Sequence, residues 1–290
     1  MSWRIIIIAS DSKIDLKMNY LVIRSRELRK VHLSEVSVLI LESTAISMTA
    51  ALLCELCRRK IKIIFCDETH NPYGELIPYY GSHDSPDKLR LQMRWGDEIK
   101  SEVWVEIVRD KIMKQASVLD CVDPDRSEML RSYADCIEPH DATNREGHAA
   151  KVYFNTLFGT KFSRKDDNAI NSCLNYGYAI ILSAVNREIS ALGFNTQIGI
   201  FHDNTFNKFN LGSDLMEPLR PMVDRLILDM DCNGLNPDSK RRIADILNEK
   251  VTICDKVQYL NNAIGIYVKS VTDSLCNEDT SQLRFCEYGL

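Results

Sequence analysis

The chain has 290 residues, 45% hydrophobic and 27% charged, which suits an ordinary globular protein with a sizeable core and two domains. A formal net charge of −5 argues against a protein that coats nucleic acid indiscriminately, while leaving room for a local basic groove. No apolar run approaches the roughly 18 residues of a membrane span, and MSWRIIII lacks the long apolar region and cleavage site of a secretory signal, so a cytoplasmic protein with no membrane association is expected.

The first eighty residues (1–80) predict a strand-rich domain. Trp3–Ala9, Tyr20–Ile23, Val36–Leu41 and Ile61–Cys66 are short, β-branched and separated by polar turns. Ser47–Arg59 has helical spacing, with Leu52, Leu53 and Leu56 as its buried stripe. Short strands around one helix close little core, so packing against a second copy or a second domain is expected. The ten cysteines fit reduced core residues. Cys54 and Cys57 lie inside a helical pattern with no second pair to complete a zinc site, which favours plain packing over redox chemistry.

Residues 71–88 are rich in proline and glycine and mark a boundary, so 81–96 reads as a linker and first helix, with Ser85 as cap and Pro86 at the first helical position. From 97 to 275 the pattern is almost wholly helical. Expected helices are Pro86–Leu119 with a break near Gly96, Pro124–Cys136, Arg145–Phe158, Asn168–Leu192, Pro218–Cys232, Pro237–Glu249 and Asp255–Leu275. Residues 276–290 have no strong period and read as a mobile or partner-docking tail. The class is α+β: a small N-terminal β-rich domain followed by a larger all-α C-terminal domain.

The chemistry concentrates in FHDNTFNKFNLGSDLMEPLRP, Phe201 to Pro221. A histidine, His202, stands in an Asn-rich loop, and Asp214 and Glu217 follow three residues apart, a spacing that puts both on one helix face. Pro218 suggests that a helix starts here with Ser213 as its cap. Imidazole and carboxylates converging in a polar pocket suggest a divalent metal site, with Glu146 of NREGHAAKVYF as the candidate for the remaining ligand. Each residue has a structural alternative. Thr143-Asn144-Arg145-Glu146 is a capping-box pattern in which Glu146 reaches back to the cap. His202 could be a satisfied core histidine, and Asp214 a first-turn charge. Nothing local says that Glu146 and His202 meet. Lys208 and Arg220 are candidate phosphate contacts by proximity to this motif. Tyr176, in Asn175-Tyr176-Gly177-Tyr178, offers a tyrosine bridging core and surface, helix crowding behind a site, or an aromatic face for nucleic acid. The basic clusters, Lys161-Arg164-Lys165 among them, read mostly as solvated helix ends or loops. No GxxxxGK[ST], GxGxxG, HExxH or GxSxG is present, which removes support for phosphate-loop, dinucleotide, zinc-protease and serine-hydrolase chemistry.

Taken together these residues resemble a known family, the CRISPR-associated protein one integrase-nucleases. The match runs through Glu146-Gly147 to Tyr153-Phe154, Asn175 to Tyr178, His202, and Asp214 to Pro221. Ser2-Trp3-Arg4, His32-Leu33-Ser34-Glu35 and Pro78-Tyr79-Tyr80-Gly81 resemble the branch found in type II systems. The resemblance implies Glu146, His202 and Glu217 as metal ligands for Mg²⁺ or Mn²⁺ and as the catalytic set. Asp214 becomes an auxiliary carboxylate, either behind the ligands or a transient ligand. It also implies a homodimer in the bacterial cytoplasm, with two such dimers bridged by a dimer of the small CRISPR-associated protein two. Double-stranded DNA, as spacer precursor and leader–repeat, would be the substrate, and the effector nuclease and other type II accessory proteins further partners. The implied reaction inserts new spacers into a CRISPR array by transesterification. The alternative is a non-catalytic DNA-binding scaffold of the same fold.

Overall fold

The computed structural model describes residues 4–289 apart from 69, 80, 81, 83 and 231–233. Ser2, Trp3, Tyr80 and Gly81, which carry part of the resemblance, and Cys232, an expected helix end, lie outside the described residues. The chain divides into two compact units, residues 1–81 and 82–290.

The first unit holds β1 (Arg4–Ile8), β2 (Ser12–Lys17), β3 (Tyr20–Arg24), β4 (Leu28–His32), β5 (Val36–Leu41), β6 (Ile46–Met48), α1 (Ala50–Arg58), β7 (Lys62–Cys66) and β8 (Pro72–Glu75). One sheet runs β1-β5-β7-β8, parallel except at β8, and the other β4-β3-β2-β6. β5 (VSVLIL) is buried throughout, as suits a parallel strand inside a sheet. Residues of both sheets and of α1, among them Ile14, Leu21, Leu39, Leu52, Leu56 and Ile63, share a single apolar core.

Four strands were not expected. β2 (SKIDLK) and β4 (LRKVH) are charge-rich, which hides their alternation. β2 is set by the hairpin to β3 at Met18-Asn19, where both residues take positive φ (47° and 67°), the geometry a two-residue turn requires, and β4 by its antiparallel pairing with β3. α1 also starts later than expected: Thr49 caps it by accepting from Leu52 N at 3.2 Å, and Ser47 belongs to β6. Cys54 and Cys57 are free thiols, and burial pushes the Cys57 thiol up, opposite to a redox-active pair. The expectation of ten reduced cysteines is corrected at Cys173, which is buried and disulfide-bonded.

The second unit holds α2 (Ser85–Gln92), α3 (Asp97–Leu119), α4 (Pro124–Asp135), α5 (Arg145–Phe158), α6 (Ala169–Ala191), α7 (Asn210–Met216), α8 (Arg220–Met230), α9 (Pro237–Ala244), β9 (Lys250–Ile253), β10 (Lys256–Tyr259) and α10 (Leu260–Asn277). Its boundaries follow local signals. Asp123 caps α4 and Asn236 forms a capping box with Ser239 at α9. Gly193, at φ 87°, closes α6 with bonds from Gly193 N to Ser190 O and Phe194 N to Ile189 O, both 3.1 Å. The cap of α2 is Asp84 in place of Ser85. The β9–β10 hairpin occupies part of what was expected to be helix, because Cys254-Asp255 both take positive φ (51° and 58°) and reverse the chain.

The tail is ordered, correcting the expectation of mobility. Thr252 and Glu287 exchange two backbone bonds of 2.7 Å, Cys286 is buried, and the Lys114 ammonium of α3 lies over the rings of Phe285 and Tyr288.

Gly177 explains the Asn-Tyr-Gly-Tyr segment. A Cβ there would collide with Val223 of α8 and crowd Ile243 of α9. The missing side chain lets α8 lie close to α6, which brings Arg220 and Asp224 to Tyr178. Gly177→Ala should therefore cost about 1–3 kcal/mol, visible as a Tm loss of several degrees in thermal melts; an unchanged Tm would contradict this packing.

Candidate active site

α3 supplies the centre of the site. Trp104, Ile107, Val108, Lys111, Ile112 and Gln115 recur at helical spacing and are all buried, so this apolar stripe carries one ammonium and one amide inward. Lys111 is 4% exposed. Its Nζ lies 2.5 Å from Glu146 Oε1 and also bonds Glu217 Oε2.

Glu146 reaches this point from the first turn of α5. The cap is Asn144, left-handed at φ 52°, whose side chain accepts from Gly147 N at 3.3 Å. Asp141 accepts from Arg145 N and Glu146 N at 2.7 and 3.0 Å. The helix-start donors are thus satisfied without Glu146, and the capping-box alternative is set aside: the Glu146 carboxylate points to Lys111 instead.

Glu217 sits where α7 passes into α8 through a 3₁₀ turn, Glu217–Leu219. The helical run begins at Asn210, so Ser213 is inside a helix and is not its cap. Pro218 removes one N–H from a continuous run and tightens it locally. Glu217 is 2% exposed, with Arg220 Nη2 at 3.0 Å from its other oxygen. Burial pushes its carboxyl up, but the charges of Arg220 and Lys111 outweigh this and hold it below the usual range.

Asp214 organises the histidine. It has no exposed surface and accepts four hydrogen bonds: Ile200 N at 2.6 Å, Phe201 N at 3.2 Å, His202 N at 3.0 Å and the His202 ring Nδ1 at 2.6 Å. Gly199 permits this wrap, since a Cβ there would lie 2.7 Å from Asp214 Oδ2. Nδ1 is fixed as the donor, leaving Nε2 as the nitrogen able to bind a cation. The hydrogen bond to Asp214 raises the His202 pKa against the opposing effect of burial, and Glu217 and Glu146 raise it further. His202 therefore lies within the field of both glutamates. Trp104 stacks on Phe201 at 4.4 Å and meets the His202 ring edge-on at 5.9 Å.

Among the described residues no group of three or more His, Cys, Asp and Glu is arranged to hold a metal ion. The Lys111 ammonium stands between Glu146 and Glu217. The two carboxylates are thus already turned onto one buried cation. That donor set, with an imidazole alongside, fits a hard divalent ion.

Beside this cluster opens a cavity of about 420 Å³, its wall carrying Lys111, Lys151, Arg164 and Arg220. The Tyr178 ring lies between two guanidinium groups, Arg164 at 5.2 Å and Arg220 at 5.0 Å from its centroid. Its hydroxyl donates to Asp224. Arg164 was expected to be solvated; it is instead tied to Asn175 Oδ1 at 2.6 Å and faces this cavity. Tyr176 is corrected: it is fully buried, so it has no face open to DNA. Lys208 is exposed on the loop after His202.

Burial pushes the Asp224 carboxyl up to about 6, against the Tyr178 hydrogen bond and the charges of Arg220 and Arg164. The folded-state value is above the unfolded one, so the stability it contributes is full below about pH 4 and is lost as pH rises through about 6. Asp224→Asn, neutral at every pH, should gain on wild type by several degrees in Tm between about pH 4.5 and 7.5. A gap that stays flat with pH would contradict this reading.

Sequence reasoning missed Lys111, Gln115 and Asp224. The signal for the first two was present: a lysine and a glutamine on the buried face of a helix.

A family model for CRISPR associated protein Cas1 matches residues 5–239. The chain is similar to the CRISPR-associated endonuclease Cas1 of Neisseria meningitidis, 34% identical over 294 residues covering 99% of this chain and 97% of the relative. Its fold is similar to a casposase bound to integration product, with TM-score 0.79 and 17% identity over 96% of this chain and 92% of that one. It is also similar to a chain of a Cas6-RT-Cas1–Cas2 complex, with TM-score 0.76 and 18% identity, covering 97% of this chain and 36% of that longer one. Among the described residues no helix is long and apolar enough to cross a membrane. The family match and the near full-length identity together make this chain a member of the CRISPR-associated protein Cas1 family.

Proposed function

We propose that the chain is a divalent-metal-dependent DNA integrase and endonuclease that inserts spacers into a CRISPR array. One observation carries this reading: Glu146 and Glu217, from segments far apart in sequence, turn inward onto one buried cation, with His202 held beside them. Glu146, Glu217 and His202 Nε2 would hold Mg²⁺ or Mn²⁺, which when bound would polarise the scissile phosphodiester and ease deprotonation of the attacking oxygen.

The protein's own residues bind and orient. Asp214 fixes the His202 tautomer, so the ring presents the same nitrogen throughout. Arg220 and Arg164, beside Tyr178 on the cavity wall, would neutralise the non-bridging phosphate oxygens of a DNA strand bound there. In integration, the spacer 3′-oxygen forms a new bond to phosphorus at the leader–repeat junction. The existing bond to the 3′-oxygen of the leader breaks, and that oxygen leaves as a hydroxyl. In hydrolysis, water takes the attacking role. Both are in-line displacements that need no covalent enzyme intermediate.

The structural neighbour named as a Cas1–Cas2 complex supports the small CRISPR-associated protein two as the partner. We expect a homodimer, two of which a partner dimer bridges.

A second reading has one observation in its favour. An ammonium already satisfies both carboxylates, as it would in a DNA-binding scaffold without turnover. The two are separated by strand transfer. The chain, with and without its small partner, is given a short duplex with free 3′-hydroxyls and a plasmid bearing a leader–repeat, in Mn²⁺ or EDTA. Joined product in Mn²⁺ alone is expected. DNA binding without joining in any divalent metal, partner present, assigns the scaffold.

A further inference from the structure

Lys111 has two possible seats. In the first its ammonium bridges Glu146 and Glu217. The second lies along the same helix face toward Gln115, one turn on, where side chains four apart are neighbours. Gln115 is 1% exposed and lines the same cavity, and its Oε1 accepts from no described residue. Across that cavity the Asp224 carboxyl is buried against the Tyr178 and Tyr153 hydroxyls and feels the Lys111 charge. A buried acceptor with no donor, as at Gln115, is costly unless something fills it. A four-carbon stem with three rotatable donors is well suited to move between such seats.

We propose that Lys111 is the site's built-in counter-ion: it holds Glu146 and Glu217 in place in the metal-free protein and withdraws toward Gln115 and Asp224 when a divalent cation binds. The inference rests on the metal-centre reading above and deepens it. With no cation, two buried carboxylates facing one another would repel and turn away, or take up a proton. The ammonium keeps them ionised and aimed. A divalent ion wins the seat because it brings twice the charge to the same oxygens. The lysine stays charged in either seat, so its positive charge remains on the cavity wall beside Arg164 and Arg220. Lys111 is a positioning residue, and its effect on affinity runs opposite to that of a merely structural one. It competes with the metal, so removing it should tighten metal binding.

The test is calorimetric titration of the full chain with Mn²⁺ alone, without DNA, alongside thermal melts in EDTA. Lys111→Met, which keeps the stem and removes the charge, should bind Mn²⁺ at least about tenfold more tightly than wild type and melt lower in EDTA. Gln115→Leu removes the second seat and should weaken Mn²⁺ binding roughly threefold to tenfold, the worth of one hydrogen bond to the ammonium. Because it also removes a buried amide, it should not melt lower in EDTA, which makes it a readout even if Lys111→Met fails to fold. If wild type binds Mn²⁺ while Lys111→Met binds it equally or more weakly, or Gln115→Leu binds it unchanged, the two-seat lysine is overturned and the metal centre stands. If wild type gives no more heat than Glu146→Ala, the metal centre itself fails, and this inference with it.

Discussion

Glu146→Ala and Glu217→Ala are each expected to lower strand transfer by about a thousandfold or more, the scale of losing several kcal/mol of metal-assisted stabilisation of the transition state. The prediction follows from their shared cation. Each carboxylate contacts Lys111, and Asp214 cannot stand in for either, since it spends its acceptor capacity on the 200–202 loop and His202. The two variants should differ in stability. Removing Glu146 leaves Lys111 paired with Glu217, whereas removing Glu217 takes one partner from Lys111 and another from Arg220. Glu217→Ala should therefore melt lower, by the cost of buried charge left partly unpaired. DNA affinity should persist in both, because a negative charge beside the phosphate site has been removed. More than about a tenth of wild-type joining in either variant would contradict the assignment.

Asp214→Asn is the second large effect. All four hydrogen bonds to Asp214 come from donors, three of them backbone N–H groups. An asparagine must present its own N–H₂ to some of them, so at least one backbone donor loses its acceptor and the ring must switch tautomer or lose its bond as well. The expected cost is roughly 3 kcal/mol, read as a Tm drop. The His202 ring is also released from its tautomer, which should cost about 10- to 100-fold in metal affinity or joining. An Asp214→Asn protein with wild-type Tm and wild-type Mn²⁺ affinity would show that Asp214 does not organise the histidine.

Legibility in the sequence tracked how local each feature was. Caps and stops were readable where one residue settles them: Asp123, Asn236 and Gly193 each do what their positions imply. The strands built from charged residues, β2 and β4, were not, because their identity depends on pairing across a turn. The same holds for the β9–β10 hairpin inside a helical stretch. At the site, Glu146 and Glu217 are brought to Lys111, and His202 to Asp214, which no local pattern could establish. Lys111 was hidden for a different reason. Charge on a helix normally marks the solvated face, and only the spacing of Trp104, Val108, Lys111 and Gln115 shows that this lysine lies on the buried one. Tyr176 shows the reverse: of the readings open to its segment, the nucleic-acid face fails because the ring is core, while helix crowding is what Gly177 permits.

The most direct measurement is anomalous diffraction at the manganese edge from crystals of the full chain grown with Mn²⁺. The account predicts one strong peak within coordination distance of Glu146, Glu217 and His202 Nε2, with the Lys111 ammonium displaced from between the two carboxylates. Well-ordered density with no peak there and Lys111 still bridging Glu146 and Glu217 would contradict it.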